Sequence, residues 1–183
     1  ERGEWVLRKW SEVQARQKNI RQIAWADGAC LDYLGQAIRL RLSPEIGRSE
    51  LHEGVELKLA LPLNAEASQI RDAVQAWLMR EARDLFELRL NFFAPQMGVQ
   101  WRKLSLSNAG SRWGSARIDG AIRLNWRLIH LKPDAIDYVV VHELAHLREM
   151  NHSPAFWKVV AEILPDHVER RKALQKENLA NWA

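Results

Sequence analysis

The stretch of residues 139–152 constrains this chain most, because it reads Val-Val-Val-His-Glu-Leu-Ala-His-Leu-Arg-Glu-Met-Asn-His. Two histidines four residues apart leave the same face of a helix, so His142 and His146 can bind one cation. A catalytic zinc site uses three protein ligands and keeps a fourth position open, whereas a structural site adds another ligand, usually a thiolate. The sequence therefore predicts one zinc ion per chain, held by His142, His146 and His152.

Two further positions complete the predicted site. His152 lies too far around a straight helix from His146 to reach the same ion, so we expect the helix to end near Met150 and Asn151 to turn the chain back. Glu143 stands next to a ligand and can reach a water that zinc has made more acidic. Glu143 is therefore the predicted catalytic residue, acting as a general base.

The flanking residues favour a metal site over a solvated or buried histidine pair. A bare motif of this kind arises by chance in about one or two of a hundred such sequences, so its context matters. Ile136, Val139 and Val140 follow helical spacing before the motif, and Pro133 fits a first helical position. This agreement predicts a metal-binding helix that begins near Pro133.

Length and composition indicate one domain. The chain has 183 residues, of which 47% are hydrophobic, and this is enough for a sizeable core. We divide residues 1–183 into an N-terminal arm (1–35), a strand pair (36–62) and a core that contains the metal helix (63–183).

Cysteine usage and hydropathy predict a cytoplasmic protein with no membrane partner. No apolar run approaches the roughly 20 residues of a membrane span, and the charged first ten residues lack the regions of a signal peptide. Cys30 is the single cysteine, so it cannot form an internal disulfide, which fits a reducing compartment.

Positive charge is concentrated in the middle of the chain. The formal net charge is +4, and residues 71–130 hold ten Lys and Arg against five Asp and Glu. A basic surface near the metal helix would attract a nucleotide or a nucleic-acid-bound partner. The alternative is that these charges are solvated faces of a helix and a strand.

Hydrophobic periodicity predicts an α+β domain. Residues 11–25 fit either a helix or an irregular arm, and residues 38–42 and 55–61 alternate as two antiparallel strands. A long helix is predicted from an Asn64 cap to Pro95, and its apolar face is the predicted support of the core. That face comprises Ile70, Val74, Trp77, Leu78, Leu85, Leu88 and Phe92.

Strand patterns return before the metal helix, over residues 99–107, 115–118 and 121–128, and the last two are joined by an Asp119-Gly120 turn. After the motif, Ser153 and Pro154 predict the start of a short helix, which Pro165 ends. A last polar helix is predicted from Asp166 toward residue 180.

Several linked motifs resemble the YgjP-like metal-dependent hydrolases, which are relatives of the SprT-type zinc metallopeptidases. The matching stretches are Arg-Trp-Gly-Ser at 112–115, residues 122–128, residues 137–147, and Asn-His-Ser at 151–153 followed by Phe156 and Trp157. The resemblance covers roughly residues 35–175. It implies a minimal zincin fold of the gluzincin type, with an antiparallel sheet, a long support helix, the HExxH helix and a helical C-terminus.

The resemblance also implies the same zinc ligands and base, and it leaves the substrate class open. SprT-type relatives act on DNA-bound proteins, and phosphoanhydride hydrolysis has also been attached to the YgjP group. One position departs from the family pattern, because the Arg-Trp-Gly-Ser motif usually continues with Cys and here with Ala116.

Other residues have both a functional and a structural interpretation. Arg112 could bind a phosphate, a carboxylate or an oxyanion, or it could fasten its own loop. Asn125 could hold a substrate backbone along an exposed edge, or it could be a solvated strand residue. Three tryptophans are predicted to pack in the core: Trp113, Trp126 and Trp157. Three histidines outside the motif are predicted to be surface residues: His52, His130 and His167.

Three function classes follow from these residues. A metallopeptidase would bind a peptide or protein at the edge strand and use Glu143 to activate water. A nucleoside triphosphate pyrophosphohydrolase would use Arg112, Arg123 and Arg127 as phosphate clamps. A binding module with a vestigial metal would have no need of Glu143, so the sequence favours a hydrolase.

Overall fold

The computed structural model describes residues 23–177, which form an α+β arrangement of two small sheets and four α-helices. The predicted fold class is confirmed. The prediction for residues 11–25 falls almost entirely outside the described part of the chain. The predicted arm of residues 1–35 also contains a strand, Cys30–Tyr33.

The first sheet has four strands in the order β1-β2-β4-β3. Strands β2 and β4 are parallel, so the predicted antiparallel pairing of these two segments is wrong. The segment between them supplies a strand of its own, which turns back through Glu53 and Gly54, both at positive φ, and pairs antiparallel with β4. The strands are β1 (Cys30–Tyr33), β2 (Gln36–Leu42), β3 (Glu50–His52) and β4 (Glu56–Leu59).

A long helix, α1 (Ala67–Gln96), supports both sheets and the metal helix. It begins later than predicted: Glu66 rather than Asn64 is the N-cap, and the Gln69 side chain accepts a hydrogen bond from the Glu66 N–H. Pro95 lies inside the last turn rather than beyond the helix.

The buried stripe of α1 follows the predicted one only at its start. Leu88 and Phe92 are 62% and 53% exposed, whereas Phe86 and Leu90 are fully buried. From Leu78 onward the fully buried residues of α1 are four positions apart, and this spacing keeps them on the face that packs against the core. Leu88 and Phe92, which were predicted for the second half of the stripe, lie on other faces of the helix.

The second sheet has the order β5-β7-β6, with β5 (Lys103–Ser107) parallel and β6 (Gly114–Ala116) antiparallel to β7 (Ala121–Asn125). The predicted hairpin is confirmed, and Gly120 takes positive φ in its loop. The last strand is shorter than predicted, because a 3-10 helix (Trp126–His130) follows it.

Helix α2 (Pro133–Ala145) lies against α1, β6 and β7. Pro133 occupies its first turn, as predicted. The Arg89 guanidinium of α1 donates two hydrogen bonds to the Asp137 carboxylate, at 2.6 and 2.7 Å. Such a bidentate pair fixes direction as well as distance, so it sets the rotation of α2 relative to α1.

Two short helices complete the described chain. Helix α3 (Pro154–Ile163) begins at the Ser153 cap, whose hydroxyl accepts from the Phe156 N–H, and this confirms the predicted start. Helix α4 (His167–Lys176) follows the Pro165 break and contacts α2. Among the helices of residues 23–177, none combines the length and apolar character needed to cross a lipid bilayer.

Candidate metal centre

Helix α2 ends inside the histidine motif. Its last helical residue is Ala145 and His146 is the C-cap, so the helix ends earlier than the predicted Met150. Hydrogen bonds from the amides of residues 147–149 to Leu144 and Ala145 continue the chain in a tight turn. His152 then returns to the helix end just before the α3 cap.

The structure brings the three predicted ligands together. One ring nitrogen from each of His142, His146 and His152 can be chosen so that the three atoms lie within 4.8 Å of one another. The Nε2 atoms of His142 and His152 are 3.0 Å apart. Nδ1 of His146 is 3.2 Å from the Glu149 carbonyl, so an Nδ1–H can donate to it and leave Nε2 free.

This donor set fits a divalent cation. Two Nε2 atoms that face each other at 3.0 Å repel when both carry lone pairs, and a shared cation removes that repulsion. Burial, followed by the nearby His146 and His152, lowers the pKa of His142 to about 3. Burial also lowers the pKa of His146. Neutral imidazole is the form that binds metal, so these shifts favour the ligand state.

Aromatic packing holds the imidazoles in place. Phe156 of α3 contacts all three histidine rings, with centroid separations of 4.6–4.9 Å. Trp157 stacks on His152 at 5.8 Å. These two side chains restrict the ring of His152, which is otherwise exposed and not part of a helix.

Glu143 lies beside this cluster and is only 5% exposed. Burial raises its pKa to about 8, and the positive charge of Arg112 acts in the opposite direction. Strand β6 covers the carboxylate, because an added β-carbon on Gly114 would stand 2.6 Å from Glu143 Oε1. The backbone can approach this closely only where there is no side chain.

Asn125 does not occupy the exposed strand face that we expected. It is fully buried, and its Nδ2 donates to the carbonyls of Ala109 at 2.7 Å and of Arg112 at 3.2 Å. Its Oδ1 accepts from the Arg127 N–H. Asn125 therefore holds the 108–113 loop, because the strand ends here and its side chain turns inward.

Of the three arginines considered as phosphate clamps, only Arg112 lies near Glu143. Gly114 pairs with Leu124 across the hairpin, so both face α2, and Arg123, one residue earlier, points to the opposite face. Arg127 packs over the Trp126 ring at 4.6 Å and donates to Asn108. The expected arginine cluster is therefore not formed.

Much of the basic segment has structural partners. Arg71 and Arg117 pair with acids of the same segment, Asp72 and Asp119, whereas Arg89 pairs with Asp137 outside it and so offsets one charge of the positive surplus. This observation favours the structural interpretation of these charges.

The sequence patterns did not identify two residues that lie near the site. Tyr138 lies one turn before His142, with ring centroids 5.8 Å apart, and this spacing could have identified it. Arg171 of α4 lies 4.9 Å from the Trp157 ring, and its charge acts on His142. No local pattern marks Arg171, because the fold alone brings α4 to α2.

The other aromatic and histidine predictions have mixed outcomes. Trp126 is buried, as predicted, while Trp113 and Trp157 are partly buried against the core. His130 is buried rather than a surface residue, and its Nδ1 is 2.6 Å from the Asp32 carbonyl. His52 is exposed, and the partly buried His167 stacks on Trp157 at 5.8 Å.

Two solved structures resemble part of the chain, both metallopeptidase zymogens. Abylysin of Pyrococcus abyssi is 22% identical over 51% of this chain and 98% of its own, with a TM-score of 0.44. Jannalysin of Methanocaldococcus jannaschii is 17% identical over 50% of this chain and 95% of its own, also with a TM-score of 0.44. These likenesses are too weak to carry an argument about this chain.

A search of curated protein sequences gives no significant match. A sequence profile described as "YgjP-like, metallopeptidase domain" matches residues 1–177. This match spans the histidine cluster, Glu143 and the hairpin that covers it. The chain therefore belongs to the YgjP-like family of metallopeptidase domains, as its motifs predicted.

Proposed function

We propose that the chain is a zinc-dependent metallopeptidase, in which His142, His146 and His152 hold the ion. The observation that carries the proposal is the convergence of three imidazoles beside a buried carboxylate. When bound there, zinc would polarise the scissile carbonyl and make water more acidic.

Glu143 acts as the general base. Its carboxylate is held between α2 and the backbone of Gly114, so it has little freedom to turn away from the cluster. The carboxylate can accept a proton from the attacking water and return it to the leaving amine, and the positive charge of a bound zinc ion would favour its ionised form.

Arg112 binds or orients substrate at the entrance to the site. It is exposed, and its charge acts on Glu143. A guanidinium in this position can hold a peptide carbonyl or carboxylate without entering the buried cluster. Arg112→Ala should weaken peptide binding and leave the metal in place.

A peptide cleavage assay on zinc-loaded protein tests the proposal. The parent should cleave the peptides obtained by digesting an unstructured protein. Glu143→Gln should lose about 10²-fold or more of that activity while keeping its zinc. The amide is nearly isosteric but cannot accept the proton. Equal rates for parent and Glu143→Gln on a verified substrate would show that the base lies elsewhere.

A nucleoside triphosphate is the appropriate comparison substrate in the same assay. Release of pyrophosphate that depends on Glu143, without peptide cleavage, would overturn the peptidase proposal in favour of a pyrophosphohydrolase.

A further inference from the structure

A cavity of about 280 Å³ opens beside Glu143, between α2, α4 and the start of β6. Its walls are mostly apolar side chains and ring faces, and one of the proposed metal ligands, His142, also lines it. The lining residues used here are Trp113, Tyr138, Val139, Glu143, Arg171 and Leu174.

Two polar groups of this cavity are free to bind a ligand. Tyr138 is 4% exposed, and its hydroxyl has no hydrogen-bond partner within residues 23–177. The hydroxyl is not enclosed by protein atoms, so it can donate a hydrogen bond to a ligand in the cavity. Arg171 is exposed, packs over Trp157, and has no carboxylate within salt-bridge distance in the described chain.

The two groups act on each other. Burial raises the pKa of Tyr138, and the positive charge of Arg171 lowers it. A ligand that lies against Tyr138 therefore also lies in the field of the Arg171 guanidinium.

The size of the cavity limits what it can hold. Sites for drug-sized ligands usually measure about 300–1,000 Å³, so this cavity is at or below the lower limit. One large side chain fits such a volume better than a nucleoside triphosphate does. Apolar walls favour an aliphatic or aromatic side chain, and a cation at the rim favours an anionic group next to it.

We propose that this cavity binds a large apolar side chain of a peptide substrate and that Arg171 binds a peptide carboxylate next to that side chain. The inference rests on the proposed peptidase function, because it assigns the substrate class of the same site. The carboxylate belongs either to the C-terminus of the peptide or to a neighbouring acidic residue.

Peptide binding to zinc-loaded Glu143→Gln protein, measured by calorimetry, tests both parts without relying on turnover. One set is N-acetyl-Gly-Gly-Xaa, with Xaa Phe, Leu or Gly, each as the free acid and as the amide. A second set, all amides, adds Glu or Gln after Xaa. Phe and Leu peptides should bind at least about 10-fold more tightly than Gly peptides, as burial of one such side chain predicts.

A carboxylate should improve affinity about 2- to 5-fold, the upper part of the range for an exposed ion pair. The preference for free acid over amide assigns the C-terminal carboxylate, and the preference for Glu over Gln assigns the acidic side chain. Adding Arg171→Met should abolish that preference and leave the Phe-over-Gly preference in place. Lys172→Met, which removes a neighbouring exposed charge from the same helix, should change neither.

The cavity assignment is overturned if Gly peptides bind as tightly as Phe peptides. The Arg171 assignment is overturned if no carboxylate improves affinity, or if Arg171→Met keeps the preference. Failure of the proposed function has a different signature, because the parent protein would then bind these peptides selectively and cleave none of them.

Discussion

Gly114 and Glu143 lie so close that a β-carbon on the glycine would stand 2.6–2.9 Å from three atoms of the glutamate side chain. Gly114 opens strand β6, and Glu143 lies in the motif helix α2. The glycine thus allows the sheet to lie directly on the predicted base and to keep water away from one side of its carboxylate.

Gly114→Ala should therefore displace Glu143. We expect a loss of about 10²-fold in peptide hydrolysis, the scale of a misplaced catalytic group, together with about 1–3 kcal/mol of stability lost to overpacking. Zinc content should be unchanged. Gly110→Ala is the matched control, because that glycine has negative φ and open space around it. Equal activities of the two variants would show that Glu143 tolerates a methyl group at this position.

The histidine cluster predicts which changes remove metal. His146→Ala should lower bound zinc from about one per chain to a small fraction, because two imidazoles do not complete the ligand set. Added zinc should also raise the melting temperature of the parent, since a ligand that binds only the folded state stabilises it, but not that of His146→Ala.

His52→Ala is the control for this measurement, because His52 is exposed on β3, outside the histidine cluster. Elemental analysis and thermal melts of protein purified without a His tag provide both readouts. The metal assignment fails if His146→Ala retains the zinc content and the thermal shift of the His52→Ala control.

The sequence predicted the local arrangement of the histidines better than the pairing of strands. His142 and His146 are four residues apart on one helix, so helical geometry alone brings them together. His152 joined them because the motif ends in a turn, which the spacing also required. Ser153 and Pro154 carry their helix start in their own side chains, and this too is local.

Long-range pairing could not be obtained in the same way. The alternation of strands β2 and β4 indicates two strands but contains no information on direction, and an unrecognised short strand between them made the pair parallel. Arg171 and Gly114 reach the site only through tertiary packing. Asn125 looked like a surface residue because alternation assumes that the strand continues, and here it ends.

Asn125→Asp should loosen the loop that carries Arg112. The substitution removes the Nδ2 donor from two carbonyls and places an acceptor against them in a fully buried position. We expect about 3 kcal/mol or more of lost stability, because buried unsatisfied or charged groups are costly. Peptide hydrolysis should also fall, with zinc retained.

Asn91→Asp is the matched control for chemical denaturation. Asn91 is exposed and uses Oδ1 to accept from the Trp101 Nε1–H, and an aspartate can keep this interaction. Its free energy of unfolding should change by no more than about 0.5 kcal/mol. Similar denaturation midpoints for the two variants would mean that the buried donor of Asn125 is dispensable.

The buried His130 predicts a component of acid sensitivity. Burial lowers its pKa below 6.5, although the hydrogen bond to the Asp32 carbonyl opposes this effect. Below pH 6.5 the unfolded chain therefore binds a proton at this residue that the folded chain does not, so stability falls as pH falls. The loss approaches about 1.4 kcal/mol per pH unit for one proton, until the folded-state pKa is reached.

The contribution of His130 is isolated by measuring the free energy of unfolding in the presence of chelator, from pH 7 to 5, for the parent and for His130→Asn. Asparagine can keep an N–H donor toward Asp32 but does not titrate, and the contribution of His142 is common to both proteins. The variant should lose less stability on acidification, and parallel curves would show that His130 takes up no proton differently in the two states.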